Sequence, residues 1–403
     1  MGLACNNERM NGNKVAMFAS RAFTFVLLIG IVNLFADMTY EGGASINGQF
    51  LALLGASAAA VSIAAGLGEF LGYSLRSVSG YIADRTGGYW AITFIGYALN
   101  LFAVPAMALV GSWQAAVALI LLERTGRAIR KPTTDAMLSY ATGELGRGWV
   151  YAVNTALDEA GATIGPLIAA LVLFMHGSYQ TAYAFLLIST VLALASLSFA
   201  RITFPVPSRL DSGHTAIGTN FTRSYWLYTM AGTFFGAGIM SYELISFHLA
   251  TKHLIGMEWI PILLAFSTGC GVLANLLLGK SYDRSALPTI LVSVIISSLF
   301  APLVFAGGMI FLILAMVVWG VAYAVQDTLL KAIVAGVLPE GKRNLAFGLF
   351  YTFYGLGWLV GSVAMGLLYS YSLPLLIVFA VAMPLLSLPF FIAAFVSGTG
   401  SQA

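Results

Sequence analysis

Charge is what this sequence lacks. Of its 403 residues only 9% are Asp, Glu, Lys or Arg, against roughly a quarter in a soluble domain. With 59% hydrophobic residues and a mean hydropathy of +0.89, the chain cannot cover itself with polar surface in water. It reads as a membrane protein. Cysteine and histidine are scarce as well, at two and four residues. Cys5 stands near the chain start and Cys270 in an apolar run, which excludes a disulfide framework. His176, His214, His248 and His253 show no metal-ligand spacing, so neither a metal nor another cofactor is expected. There is no G-x-x-x-x-G-K-[ST] loop, which removes ATP-driven transport by this chain. No nucleophile with a base in reach emerges, so an enzyme is not expected. The net charge of +3 forms no basic face, and nucleic acid is excluded as a partner. The opening "MGLAC" lacks the positive and apolar regions of a secretory signal. Asn6 stands where a myristoylation motif needs Ser or Thr.

Long apolar runs are abundant. A bilayer span needs about 20 residues. Twelve runs qualify, at approximately 22–52, 57–79, 89–111, 113–139, 149–175, 180–200, 225–251, 258–279, 287–307, 309–335, 345–371 and 373–397. The fold class is therefore all-α, with twelve transmembrane helices in two six-helix bundles. The expected organisation is a tail at 1–21, a bundle at 22–200, a polar linker at 201–224, a bundle at 225–397 and a tail at 398–403. The linker, "RITFPVPSRLDSGHTAIGTNFTRS", has Pro, Ser and Gly but no helical apolar stripe. Loop Lys and Arg set the orientation. With the amino terminus inside, twelve basic residues fall on the cytoplasmic side and only Lys252 on the other. Both termini are then cytoplasmic, and a bacterial inner membrane is the expected location.

The halves echo one another. "MTYE" at 38–41 returns as "MSYE" at 240–243, and Asp84, Arg147 and Gly161 have counterparts in Asp283, Arg343 and Gly357. The offsets are 202, 199, 196 and 196. A duplicated six-helix unit is a common transporter design, with the substrate site between the halves.

With these residues in view, the chain resembles the major facilitator superfamily over about residues 20–397. The family's cytoplasmic signature after the second helix is matched by Gly80, Asp84 and Arg85 in "GYIADRTGG". Gly279, Asp283 and Arg284 form its fainter copy. Arg124, followed by Gly126, resembles the family's helix 4 arginine. "GATIGP", with Gly161, Gly165 and Pro166, resembles the helix 5 signature associated with antiporters, although Ala169 and Ala170 replace its closing glycines. The resemblance implies that helices 1, 4, 7 and 10 line a central cavity. It also implies that the Asp84 and Asp283 motifs act as a cytoplasmic gate.

Nine acids fall within the expected spans: Asp37, Glu41, Glu69, Glu123, Asp135, Asp158, Glu159, Glu243 and Asp327. Six bases accompany them: Arg76, Arg124, Arg127, Arg130, Lys131 and Lys331. Each such charge costs on the order of 2.5–3.5 kcal/mol at mid-membrane. Three carboxylates are left without a basic partner. An acid of that kind in low dielectric takes up a proton, which makes it a candidate carrier. Asp37 and Glu41 share a face of the first helix and cannot easily both ionise. With Glu243 they are the proton-coupling candidates. Arg124, Arg127 and Lys131 form one stripe, able to bind an anion or to neutralise neighbouring acids. Tyr40, Tyr242, Asn100 and Gln326 are candidate polar groups of the cavity. Asp327 and Lys331, four apart, are cavity candidates that can pair with each other, as a pathway pair or as a structural one, whereas Glu69 and Arg76 must find partners across helices. Gly161 and Gly165 read as close helix contacts. The Trp residues read mostly as interfacial anchors.

The expected function is secondary transport of a small solute by alternating access, coupled to protons, with an organic anion as one solute class. Proton-driven antiport exporting drugs or metabolites is the alternative. A non-transporting receptor or scaffold is the reading of a different class. The expected partners are the solute, protons and the lipid bilayer, with the protein acting as a monomer.

Overall fold

The computed structural model describes residues 21–139, 147–205, 221–336 and 343–399. The tails at 1–20 and 400–403, most of the linker and the loop residues 140–146 and 337–342 lie outside the described residues. Among the described residues every regular element is helical. The first half contains α1 (Arg21–Leu53), α2 (Ala58–Thr86), α3 (Tyr89–Ala106), α4 (Trp113–Ser139), α5 (Arg147–Phe174) and α6 (Tyr179–Thr203). The second contains α7a (Arg223–Gly238), α7b (Tyr242–Thr251), α8 (Trp259–Arg284), α9a (Ala286–Ser298) and α9b (Phe300–Phe305). It continues with α10a (Met309–Ala324), α10b (Lys331–Gly336), α11 (Arg343–Tyr371) and α12 (Leu373–Thr399). Counting each divided helix once gives twelve spans.

Ten of these spans are long and apolar enough to cross a bilayer by composition. The other two are informative exceptions. Helix α4 has Glu123, Arg124, Arg127, Arg130, Lys131 and Asp135 between positions 123 and 135. Helix α7 is not continuous, contrary to the uninterrupted run expected at 225–251. It unwinds at Ile239 and Ser241, both in extended conformation. Gly236 and Gly238 precede the break and weaken the helix there. Trp319 Nε1 then donates to the Met240 carbonyl at 3.1 Å, occupying one group that the break releases. The two tetrapeptides therefore differ in context. "MTYE" lies inside a continuous helix, and "MSYE" straddles the start of a new one. Helix α10 is also irregular, with a π-helical turn at Val325–Leu330.

The connections are short and chemically specified. Ser57 caps α2 by accepting from Ala60 N–H, and Ser178 and Thr222 cap α6 and α7a in the same way, as N-cap hydroxyls do. Helix α2 ends at Gly87, whose φ of 64° is the left-handed conformation that favours glycine.

Apolar packing differs between the two ends of the molecule. At the end remote from Arg21, one continuous core joins Phe50, Tyr183 and Val61 of the first half to Leu244, Phe247 and Leu376 of the second. At the terminal end the cores are separate. One, around Phe25, Tyr97 and Leu197, belongs wholly to the first half. The other, around Tyr225, Phe350 and Trp358, takes only Tyr73 from it. The halves thus share one apolar core at the far end and keep separate cores at the terminal end.

Glycines set the closest helix contacts, and the duplication is visible in them. A Cβ on Gly161 or Gly165 of α5 would lie 2.2 or 2.3 Å from the Leu34 or Met38 carbonyl of α1. Their counterparts at the same offset, Gly357 and Gly361 of α11, would meet the Thr233 and Ala237 carbonyls of α7a at 2.1 and 2.0 Å. Backbone cannot yield as a flexible side chain can, so overpacking here should cost about 1–3 kcal/mol. Gly165→Val and Gly361→Val should each lower the thermal stability of the solubilised protein by comparable amounts. Unchanged melting of either variant, followed by fluorescence-detected size exclusion, would contradict this packing.

Candidate functional site

Between the halves lies a cavity of about 480 Å³. Eleven of the twelve residues expected at the pathway line it. Asp37, Tyr40 and Glu41 come from α1, and Arg124, Arg127 and Lys131 from α4. Tyr242 and Glu243 come from α7b, with Gln326, Asp327 and Lys331 from the π turn and α10b. Asn100 is different. It is fully buried behind the cavity, where it donates to Glu123 Oε1 at 2.7 Å and accepts from Arg130 Nε at 3.1 Å.

The cavity opens toward the terminal end. Near its closed end the side chains of Arg124 and Glu243 are 9% and 6% exposed. At the other end those of Lys331 and Asp327 are 53% and 44% exposed. The closed end is formed partly by α1 against α7b, where Gly48 admits the Glu243 carbonyl so closely that a Cβ would lie 2.0 Å from it.

Arg124 is the electrostatic centre. Its guanidinium lies 3.0 Å from Glu69 of α2, 3.3 Å from Glu123 of α4 and 3.1 Å from Glu243 of α7b. The planar fork of Arg permits such convergence, which an ammonium could not reproduce. Arg127 supports it at 3.5 Å from Glu69 and 3.9 Å from Glu123, and stacks over the Tyr40 ring at 4.7 Å. Two cations therefore serve three carboxylates. Glu243 begins α7b, where the helix dipole also favours negative charge. The Arg124–Glu243 bridge is the one ion pair among the described residues that joins the two halves.

A second network runs toward the terminal end inside the first half. Arg130 lies 3.6 Å from Asp37 and 4.5 Å from the Tyr97 ring centroid, and donates to Asn33 at 3.4 Å. Asn33 donates to Asn154, which donates to Asp158 at 3.3 Å. Lys131 then lies 3.5 Å from Asp158 and 4.0 Å from Asp135. Asp327 and Lys331 pair with each other at 3.3 Å. Two cavity acids stand apart. The side chains of Glu41 and Glu159 have no ion pair or hydrogen bond among the described residues. Arg76 has no ion pair there either and stacks on Tyr73 at 4.8 Å.

The expected gate residues lie away from the cavity. Arg85, Asp283 and Arg284 are exposed, and Arg85 donates to Tyr81 OH at 3.2 Å. Gly80 faces Pro132, and Gly279 faces Thr328. The Asp84 side chain is outside the described residues, as are those of Arg147 and Arg343.

Sequence reasoning missed the aromatic wall. Trp319 and Trp358, not singled out from the sequence, are buried at the cavity. Trp319 packs on Tyr323 with centroids 4.0 Å apart, and Tyr323 meets Trp358 at 6.1 Å. The available signal was the i, i+4 pairing of Trp319 with Tyr323 in mid-span.

Removing Arg124 would leave three buried carboxylates facing one another, and breaking a buried pair costs about 3–5 kcal/mol. Arg124→Gln should therefore lower the thermal stability sharply. Adding Glu243→Gln should recover part of the loss, because the two sites are coupled. Additive losses in this cycle would show that the pair does not interact as described.

Comparison with known proteins agrees with this architecture. The family model described as Major Facilitator Superfamily matches residues 224–400. An uncharacterized protein of Mycobacterium tuberculosis is 34% identical over 378 residues, covering 92% of each chain. An uncharacterized MFS-type transporter of Methanocaldococcus jannaschii is 26% identical over 364 residues, covering 86% of this chain and 89% of the relative. Among solved structures, a mutant form of the nucleoside transporter NupG superposes with a TM-score of 0.74 at 14% identity. That match covers 92% of this chain and all of the other. A bacterial homolog of the human lysosomal transporter Spinster, in an inward-facing and unoccupied conformation, gives 0.65 at 11% identity over 94% and 97% of the two chains. The protein is a multi-pass integral membrane protein, and the chain belongs to the major facilitator superfamily.

Proposed function

We propose that this membrane transporter is proton-coupled and moves a small solute by alternating access, with Glu41 as its principal proton site. The observation that carries the reading is the position of Glu41. It lines the cavity between the halves without an ion pair, while the acids around it are held by Arg124 and Arg127. A carboxylate that is not locked to a base can gain and lose a proton as access alternates. Asp37, its neighbour one turn away, is engaged by Arg130 and serves instead to hold α1 against α4. Glu243 is the gating acid, because its bridge to Arg124 joins the two halves at the closed end.

The basic loop residues place the terminal end in the cytoplasm, so the cavity described here faces inward. Residues 22–200 and 225–397 then act as the two rocking bodies, joined by the linker at 201–224, in a bacterial inner membrane. Each monomer holds a complete site. Opening toward the outside requires α1 and α7b to part at Gly48 and the Arg124–Glu243 bridge to lengthen. The gate motifs around Asp84 and Asp283 close the opposite end in that state.

Reconstituted Glu41→Gln protein should still exchange solute down its gradient but lose accumulation driven by a proton gradient. Accumulation equal to the wild type, measured in proteoliposomes with an imposed pH difference, would remove Glu41 from the mechanism.

A further inference from the structure

The charges left over in the cavity are mostly negative. The arginine stripe, read alone, suggests an anion site. In the folded chain the guanidinium groups of Arg124 and Arg127 are ringed by carboxylates at 3.0–3.9 Å. An incoming anion would have to displace those carboxylates into the same small space. The carboxylates of Glu41 and Glu159, by contrast, are in no ion pair or hydrogen bond among the described residues, although Arg127 and Lys331 face them. Arg76 is the free cation of the lining among the described residues, and it is stacked on Tyr73. The wall contributed by α10a and α11 is built from Trp319, Tyr323 and Trp358. Ring faces of this kind attract cations, an effect worth about 2 kcal/mol or more when desolvated. Two buried donors at the cavity, Ser241 Oγ and Trp358 Nε1, have no hydrogen-bond partner among the described residues, and each calls for an acceptor.

We infer that the cavity takes an organic cation, a flat protonated or quaternary amine bearing a hydrogen-bond acceptor, in exchange for protons on Glu41 and Glu159. The inference rests on the proton-coupled reading above and adds the solute class and the sense of coupling. Glu41 is faced by Arg127 and Glu123 of α4, Glu69 of α2 and Glu243 of α7b. Glu159 is faced by Asp327 and Lys331 of the second half, Glu41 of α1 and its neighbour Asp158. Both acids thus sit among more carboxylates than bases, where a cation and a proton are alternative ways of neutralising the site. Binding of one expels the other. An exchange of one proton per monovalent cation is electroneutral, and release of both protons makes it electrogenic.

The test uses the full-length protein with N-methyl-4-phenylpyridinium as the cation, 4-phenylpyridine at alkaline pH as its neutral relative, and benzoate as the anion. The cation should quench tryptophan fluorescence and bind at least about tenfold tighter than either comparator, a difference of about 1.4 kcal/mol. Its affinity should fall as pH falls, because protons compete for the same carboxylates. Glu41→Gln should weaken it about tenfold and flatten that dependence, and Glu159→Gln should act in the same direction. Trp358→Phe keeps a ring but removes the indole, and should weaken binding without altering the pH dependence. Cation leaving loaded proteoliposomes into acidic medium should acidify the lumen, read by an entrapped dye. Failure of the cation to bind, equal binding of 4-phenylpyridine, or cation affinity independent of pH would each overturn the inference. Benzoate accumulation driven by a proton gradient would overturn it while sustaining proton coupling. A bound cation that crosses the membrane with no proton movement would remove both readings.

Discussion

The fold depends on one guanidinium shared by three carboxylates. Arg124 lies where α2, α4 and α7b converge, and each helix contributes a glutamate to it. Without that cation, three buried acids would repel one another in low dielectric. Without the acids, Arg124 would be a buried charge with no solvent, a cost of several kcal/mol. The same contact is the one ion pair among the described residues that spans the two halves, so the cluster that neutralises these buried acids also ties one half to the other.

The remaining polar groups divide by what they can do. The chain from Arg130 through Asn33 and Asn154 to Asp158 is buried and well partnered. It ties α1, α3, α4 and α5 into a unit, since buried hydrogen-bond networks rigidify the region that holds them. The groups that remain unpaired face the cavity instead. Rigid elements thus surround a small number of side chains whose partners can change, an arrangement that suits binding.

Much of the fold was legible in the sequence because lipid leaves few options. Twelve apolar runs must be helices, and the offset of about 200 residues between "MTYE" and "MSYE" announces the duplication. The cavity residues were legible for a related reason: charge inside a span is costly, so Glu41, Arg124 and Glu243 stood out. What the sequence did not disclose is pairing across helices. Nothing in the spacing of Glu69 and Arg76 indicates that Glu69 turns to Arg124 while Arg76 stacks on Tyr73. The break in α7 was similarly hidden, since an apolar run through Gly236 and Gly238 looks continuous on hydropathy alone. Trp319 and Trp358 lie in mid-span, where composition gives an indole no assigned role and the usual preference of Trp for interfaces is no guide. Their burial follows from neighbours on other helices that no local pattern reveals.

The seam between α2 and α11 has a mechanical consequence. Along it Gly66 meets Ser362, Gly366 meets Ser62 and Ala59, Gly355 meets Phe70 and Tyr73, and Gly348 meets Ser77. These contacts run antiparallel from one membrane face to the other, and Ser62 Oγ donates to the Ser362 carbonyl at 2.6 Å near one end. Surfaces lined with such small residues have low ridges and shallow grooves, so one helix can roll on the other without lifting its side chains over obstacles. The seam would then serve as an axle: a few degrees of rotation about it move the far rims of the two bundles by several times the displacement at the seam itself.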